Sequence, residues 1–237
     1  MSDQRSILDI QKFDQQSATL KNKAATLPEL AEITSTTIKQ NNVRDLRIAA
    51  ETELSDVKRE LARAEGDVEQ IVTRIERDEK RLASGTGTPK ELEQTQHELG
   101  TLGVRRSELE EVELEIMMRV DGIKERIATL STKENELALI VADLNIRKEN
   151  ALAAIHTELE GIETDRKATT QSVSAELLAL YEKIRESSGI GAAALAGNQC
   201  KGCNLTMNTI ELQRISGLAE DEVVRCEECR CILVRDK

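Results

Sequence analysis

From Leu54 the apolar residues recur at Leu54, Val57, Leu61, Ala64, Val68, Ile71, Ile75 and Leu82, in steps of three and four with Asp78 as the interruption. A helix keeping that repeat presents one continuous apolar seam, which is the pattern of a coiled coil. A second seam runs through Leu92, Leu99, Leu102, Leu109, Ile116, Val120, Ile123, Ile127, Leu130, Leu137, Val141, Leu144, Ala151, Ile155 and Ile162. Thr95, Arg106, Glu113, Glu134, Lys148 and Glu158 break it, a minority that such seams tolerate at some cost in stability.

Between the seams lies Ser84-Gly85-Thr86-Gly87-Thr88-Pro89-Lys90-Glu91. The glycines end the first helix, Thr88 is placed to cap the second, and Pro89 and Glu91 stand at the first helical and capping-box positions. This predicts a tight reversal with the helices antiparallel, pairing positions whose numbers sum to about 172. In that register an N-terminal seam, Ile10, Phe13, Ser17, Leu20, Ala24 and Leu27, faces the stretch near residues 145 to 162. Proline disfavours helical geometry in the residue before it, so Leu27-Pro28 marks a kink. The second helix is expected to run from 88 to about 187, roughly 150 Å at about 1.5 Å per residue. Its last apolar series (Val173, Leu177, Leu180, Ile184) starts eleven residues after Ile162, a step that relaxes the supercoil.

After Ser187-Ser188-Gly189-Ile190-Gly191 the helical pattern stops. Residues 192–199 read as an irregular strand, Met207 to Ile215 as a short helix, and 222–225 with 231–234 as a β-hairpin.

Composition supports an extended shape over a globule. Of 237 residues only Phe13 and Tyr181 are aromatic, two are proline and 32% are charged. Aromatic side chains carry much of the buried area in large cores, whereas charge-rich helix formers belong to coiled coils. The heptads argue against disorder. His97 and His156 stand alone on charged helix and are assigned no role, and Tyr181 reads as a packing residue. The net charge of −11 disfavours loose contact with nucleic acid or anionic lipid. No stretch approaches the roughly 20 apolar residues that cross a bilayer, and no apolar run follows the first residues as a secretory signal would. The expectation is a cytoplasmic protein.

The chemistry of the chain is in its cysteines. Cys200-Lys201-Gly202-Cys203 and Cys226-Glu227-Glu228-Cys229 are two Cys-x-x-Cys pairs, and residues 1–199 contain no cysteine. Each pair can place two thiolates on one tetrahedral ion, so Cys200, Cys203, Cys226 and Cys229 are predicted ligands of one structural Zn²⁺. Forty-odd residues with no aromatic cannot bury enough surface to fold alone, and a structural zinc contributes on the order of 10 kcal/mol. Four thiolates leave no open coordination position, which argues against a catalytic metal. A redox role would suit a thioredoxin-like βαβ surround, which is missing here. Cys231 is read as a free thiol pointing along the outgoing strand, with ligation through a register slip as the alternative. The predicted fold class is therefore mainly α: an antiparallel coiled-coil hairpin over 1–188, with its reversal near 84–88, then a small α+β zinc-ribbon domain over 189–237.

The order and spacing of Thr88-Pro89-Lys90-Glu91-Leu92, the two cysteine pairs and Arg230-Cys231-Ile232-Leu233 resemble a bacterial family of coiled-coil proteins with a C-terminal four-cysteine zinc ribbon. The resemblance spans essentially the whole chain. It implies a kinked, hooked helical hairpin without enzymatic activity. It also implies an adaptor of protein partners, as in relatives that bind an alternative sigma factor or secretion and flagellar components; some relatives bind RNA. This chain departs from the family pattern where an arginine often stands near the place of Cys231. Its ribbon is also not basic: Lys201, Arg214, Arg225, Arg230, Arg235 and Lys237 face seven carboxylates. Nucleic-acid binding normally needs clustered positive charge, and stacking needs aromatics that the ribbon lacks. The leading expectation is a zinc-binding adaptor for protein partners, a monomer or weak dimer. The alternative is RNA or DNA binding through Arg225, Arg230 and Arg235.

Overall fold

The computed structural model describes residues 2–219 and 221–235, so Lys237, counted above in the ribbon's charge, lies outside them. The chain is mainly helical. Helices α1 (Ser2–Ala25), α2 (Pro28–Ala83), α3 (Pro89–Thr170) and α4 (Ala175–Ser188) precede β1 (Ala192–Ala196), β2 (Gln199–Cys200), α5 (Thr209–Ser216), β3 (Val224–Arg225) and β4 (Ile232–Arg235). Two compact units can be described separately, residues 31–145 and residues 1–30 with 146–237.

In the first unit α2 and α3 form the hairpin. Ala50, Val57, Val120 and Ile123 form a buried cluster in it, with Leu54, Leu61, Ile116, Ile127 and Leu130 packed against them. The turn is set by capping. The Thr88 amide donates to Glu91 Oε2 at 2.7 Å while the Glu91 amide donates to Thr88 Oγ1 at 3.4 Å. Gly85 and Gly87 take φ of 63° and 141°, a region that side chains avoid. The register differs from a fixed sum of 172. Arg74 pairs with Glu98, but further from the turn Arg119 meets Glu60, Arg126 meets Glu53 and Arg44 meets Glu134, with sums of 178 or 179.

Two breaks in the seam explain themselves. Glu134 is clasped by Arg44 Nε and Arg47 Nε, each at 2.8 Å, and Asp78 lies beside Arg74 and Arg77. Charges at seam positions are costly when unpaired, and an ion pair that forms in one register disfavours the others.

In the second unit the long helix is broken. It ends at Thr170, turns through Gln171–Ser174 and resumes at Ala175, instead of continuing to 187. The run Thr169-Thr170-Gln171-Ser172-Val173-Ser174 is weak in helix formers, and its hydroxyls bond backward: Ser172 Oγ donates to the Thr169 carbonyl at 2.8 Å. The displaced apolar series thus belongs to a separate helix. The N-terminal seam also pairs further along than expected. Asp14 meets Arg166, and Ile7 and Ile10 are fully buried with Val173, Leu177, Tyr181, Ile184, Ala192, Ile232 and Val234.

The small sheet has the order β2-β1-β4-β3, with β1 parallel to β4 and the other pairs antiparallel. Alternation along β4 divides its faces: Ile232 and Val234 pack on α1 and α4, while Cys231 and Leu233 face α5 and the other cysteines. Helix α1 holds the sheet by polar contacts too. Gln11 Oε1 accepts from the Gly191 and Ala192 amides at 2.7 and 3.2 Å, and Gln4 Nε2 donates to the Asp221 and Glu222 carbonyls.

Candidate metal centre

The two cysteine pairs are built alike. The Asn204 amide donates to the Cys200 carbonyl at 2.8 Å, and the Arg230 amide to the Cys226 carbonyl at 3.0 Å. The Cys200 amide donates to the Leu205 carbonyl and the Cys226 amide to that of Cys231, at 3.1 and 2.9 Å. Asn204 and Arg230 each take a positive φ, 59° and 65°, to close the loop. Asparagine tolerates this region and arginine does so at a cost. Each turn brings its two sulfurs to the same side, and the sheet brings the pairs together.

Cys200, Cys203, Cys226 and Cys229 converge so that their Sγ atoms all lie within 4.8 Å of one another. Cys200 and Cys229 are 3.9 Å apart, as are Cys203 and Cys226. A tetrahedral zinc with Zn–S bonds of about 2.3 Å requires sulfur–sulfur edges of about 3.8 Å. The donor set therefore fits a four-thiolate ion, and the Gly202 amide adds a hydrogen bond to Cys200 Sγ at 3.4 Å.

Cys231 does not point away from this cluster. Its Sγ lies 3.3 Å from Cys229 and 3.8 Å from Cys200, fully buried. It occupies the place in the second knuckle that Leu205 occupies in the first. That equivalence was present in the spacing: each residue follows its pair's second cysteine by two. Burial pushes the Cys229 thiol up to about 11 and raises Cys231 as well, so an incoming ion must displace protons.

The three arginines are placed differently. Arg235 is held inward: its guanidinium donates to the carbonyls of Ile215, Leu218, Ala219 and Glu222 at 3.0, 3.2, 2.5 and 3.1 Å. Arg225 Nε donates to the Arg230 carbonyl at 3.0 Å, so Arg225 and Arg230 meet at the second knuckle, where Arg230 is exposed.

Tyr181 is a packing residue with a polar anchor. Its hydroxyl donates to Asp14 Oδ2 at 2.6 Å, and Arg166 and Arg185 donate to the same carboxylate at 2.8 and 2.9 Å. Burial, and then the Asp14 bond, raise the phenol far above its ordinary value. Nothing in the sequence pattern assigned Asp14 or Gln11 these roles.

Residues 10–189 match the CT398-like coiled coil hairpin domain. The chain belongs to that family. Among CT398-like proteins it is similar to an uncharacterized protein of Mycobacterium tuberculosis, 34% identical over 99% of this chain and 96% of the relative. A relative from Mycobacterium leprae is 25% identical over 95% of this chain and 97% of its own length. A solved structure from Mycobacterium smegmatis superposes with a TM-score of 0.87 at 29% identity, covering 99% of this chain and 98% of the other. The fold is shared with CT398 from Chlamydia trachomatis at a TM-score of 0.68 and 18% identity, over 98% of this chain and 97% of that one. No helix among the described residues is long and apolar enough to cross a membrane.

Proposed function

We propose that this CT398-like protein is a non-enzymatic adaptor whose zinc-ordered ribbon head recognises protein partners. Zn²⁺ on Cys200, Cys203, Cys226 and Cys229 is the ion that best suits four thiolates with no fifth position. Its work here is structural, holding the knuckles so that the sheet and α5 keep one shape. The observation that carries the reading is a groove of 840 Å³ on the head, between the start of α1, α5 and the end of the sheet. Its lining includes the apolar Leu195, Leu212, Ile215, Leu218 and Val234. Pockets of this size lined by apolar side chains with a polar rim are the usual form of a recognition site. The adaptor is read as a cytoplasmic monomer or weak dimer.

Affinity capture from cells with wild-type protein and with Cys203→Ser tests this. Partners retained equally by both would remove the head as the recognition element.

The second reading, nucleic-acid binding, draws on Arg225 and Arg230 at the knuckle, since Arg235 is engaged with backbone carbonyls. Arg230, exposed on that knuckle, offers a guanidinium to a phosphate. Titration with single-stranded RNA and duplex DNA at moderate salt decides it: micromolar binding lost on Arg230→Ala would favour it, and no binding would end it.

A further inference from the structure

We propose that the outer face of α3 between Gly100 and Glu125 docks a cationic amphipathic helix of a partner protein, which extends the adaptor reading from the head to the hairpin and rests on it. Along this stretch Leu102, Val120 and Ile123 turn inward and are buried against α2 or in its seam. The opposite heptad positions carry Val104, Leu114 and Met118, which are 63%, 59% and 68% exposed. Leu114 and Met118 are i,i+4 neighbours, and Met117, at 42%, stands i,i+3 from Leu114. Large apolar side chains are thus aligned on a face that has no partner within the hairpin.

Charge says what covers it. Glu108, Glu111, Glu115, Asp121 and Glu125 occupy the same outward positions, and no lysine or arginine does. Glu108 is bridged by Arg105 and Asp121 by Lys124, each at 2.9 Å. Glu111, Glu115 and Glu125 have no ion partner among the described residues. A second copy laid on this face would set carboxylate against carboxylate in either direction, and nucleic acid or anionic lipid would be repelled. A helix with apolar anchors flanked by Lys or Arg satisfies both features. Leu114, Met117 and Met118 form the kind of adaptable apolar patch that accepts such a helix.

The test uses a labelled 21-residue helical peptide with leucines at heptad spacing and flanking lysines, titrated by fluorescence anisotropy against the full chain. The expected result is micromolar binding weakened at least tenfold by E111K/E115K and by Met118→Ser. An equivalent charge swap on α2, E65K/E69K, is expected to leave it within about twofold. Equal binding by E111K/E115K, or equal weakening by the α2 swap, would overturn the proposal, the latter by showing only bulk charge attraction. So would self-association of the wild type that Met118→Ser disperses, which would make the occupant a second copy. Cys203→Ser separates this site from the head: peptide binding should persist in that variant even if head-dependent capture is lost.

Discussion

Gly191 is where the helical part and the sheet of the second unit are most tightly fitted, and Gly191→Ala should unfasten them. A Cβ there would lie 2.4 and 2.5 Å from Cε2 and Cδ2 of Tyr181 and 2.9 Å from its carbonyl oxygen. Ordinary carbon contacts are about 3.5–4.0 Å, so the overlap is about 1 Å against a ring that cannot easily yield. Tyr181 is completely buried and its hydroxyl is fixed by Asp14. Nor can the glycine move freely: its amide donates to Gln11, and its carbonyl accepts from the Ile232 amide at 2.9 Å. Overpacking a site held on both sides should cost about 2–4 kcal/mol, at or above the usual range for added methyl groups. For a unit of this size that is a fall in Tm of about 8–16 °C. The assay is intrinsic tyrosine fluorescence, because Tyr181 is the single tyrosine and the chain has no tryptophan. The emission and its melting midpoint therefore report this joint alone. A variant that melts within 1 °C of wild type with unchanged emission would refute the reasoning.

Three further outcomes follow from the same geometry. Arg230→Gly should raise stability by about 1 kcal/mol, because glycine takes the φ of 65° without the cost that arginine bears; denaturant titration of the zinc-loaded protein would register it. Glu134→Gln should flatten the acid dependence of hairpin melting. The hydrogen bond from Arg44, then that from Arg47, holds the Glu134 carboxyl below its ordinary value. Its stabilisation is thus present above about pH 4.3 and lost as pH falls through the lower folded value, which circular dichroism melts from pH 6 to 3 would reveal. Cys231→Ala should retain one zinc per chain, since Cys231 lies outside the four-sulfur set, whereas Cys229→Ala should bind the ion far more weakly; a colorimetric zinc-release assay compares them.

The heptads, the capped turn at Thr88 and the convergence of the four cysteines were legible because each rests on short-range chemistry: a repeat, a capping box, a knuckle spacing. The register beyond the turn was not. It is set by pairs such as Arg44 and Arg47 with Glu134, which a seam count treats as defects. The break at Gln171–Ser174 left a trace as an eleven-residue step, but a step fits either a relaxed supercoil or a new helix. The docking of α1 on the sheet depends on Gln11, Gln4 and Asp14, ordinary polar residues until residues 166–235 fold against them. Cys231 was expected to point along the outgoing strand; instead it shares a side with Leu233 and the other cysteines, which only the packing of the folded sheet decides.

In the adaptor reading, Cys200, Cys203, Cys226 and Cys229 together hold one zinc ion that orders the head. Elemental analysis of the purified chain, repeated on Cys203→Ser, decides whether they do. The expected result is close to one zinc per wild-type chain and a small fraction of that in the variant. Metal-free wild type with a folded head, or an undiminished zinc content in Cys203→Ser, would contradict it.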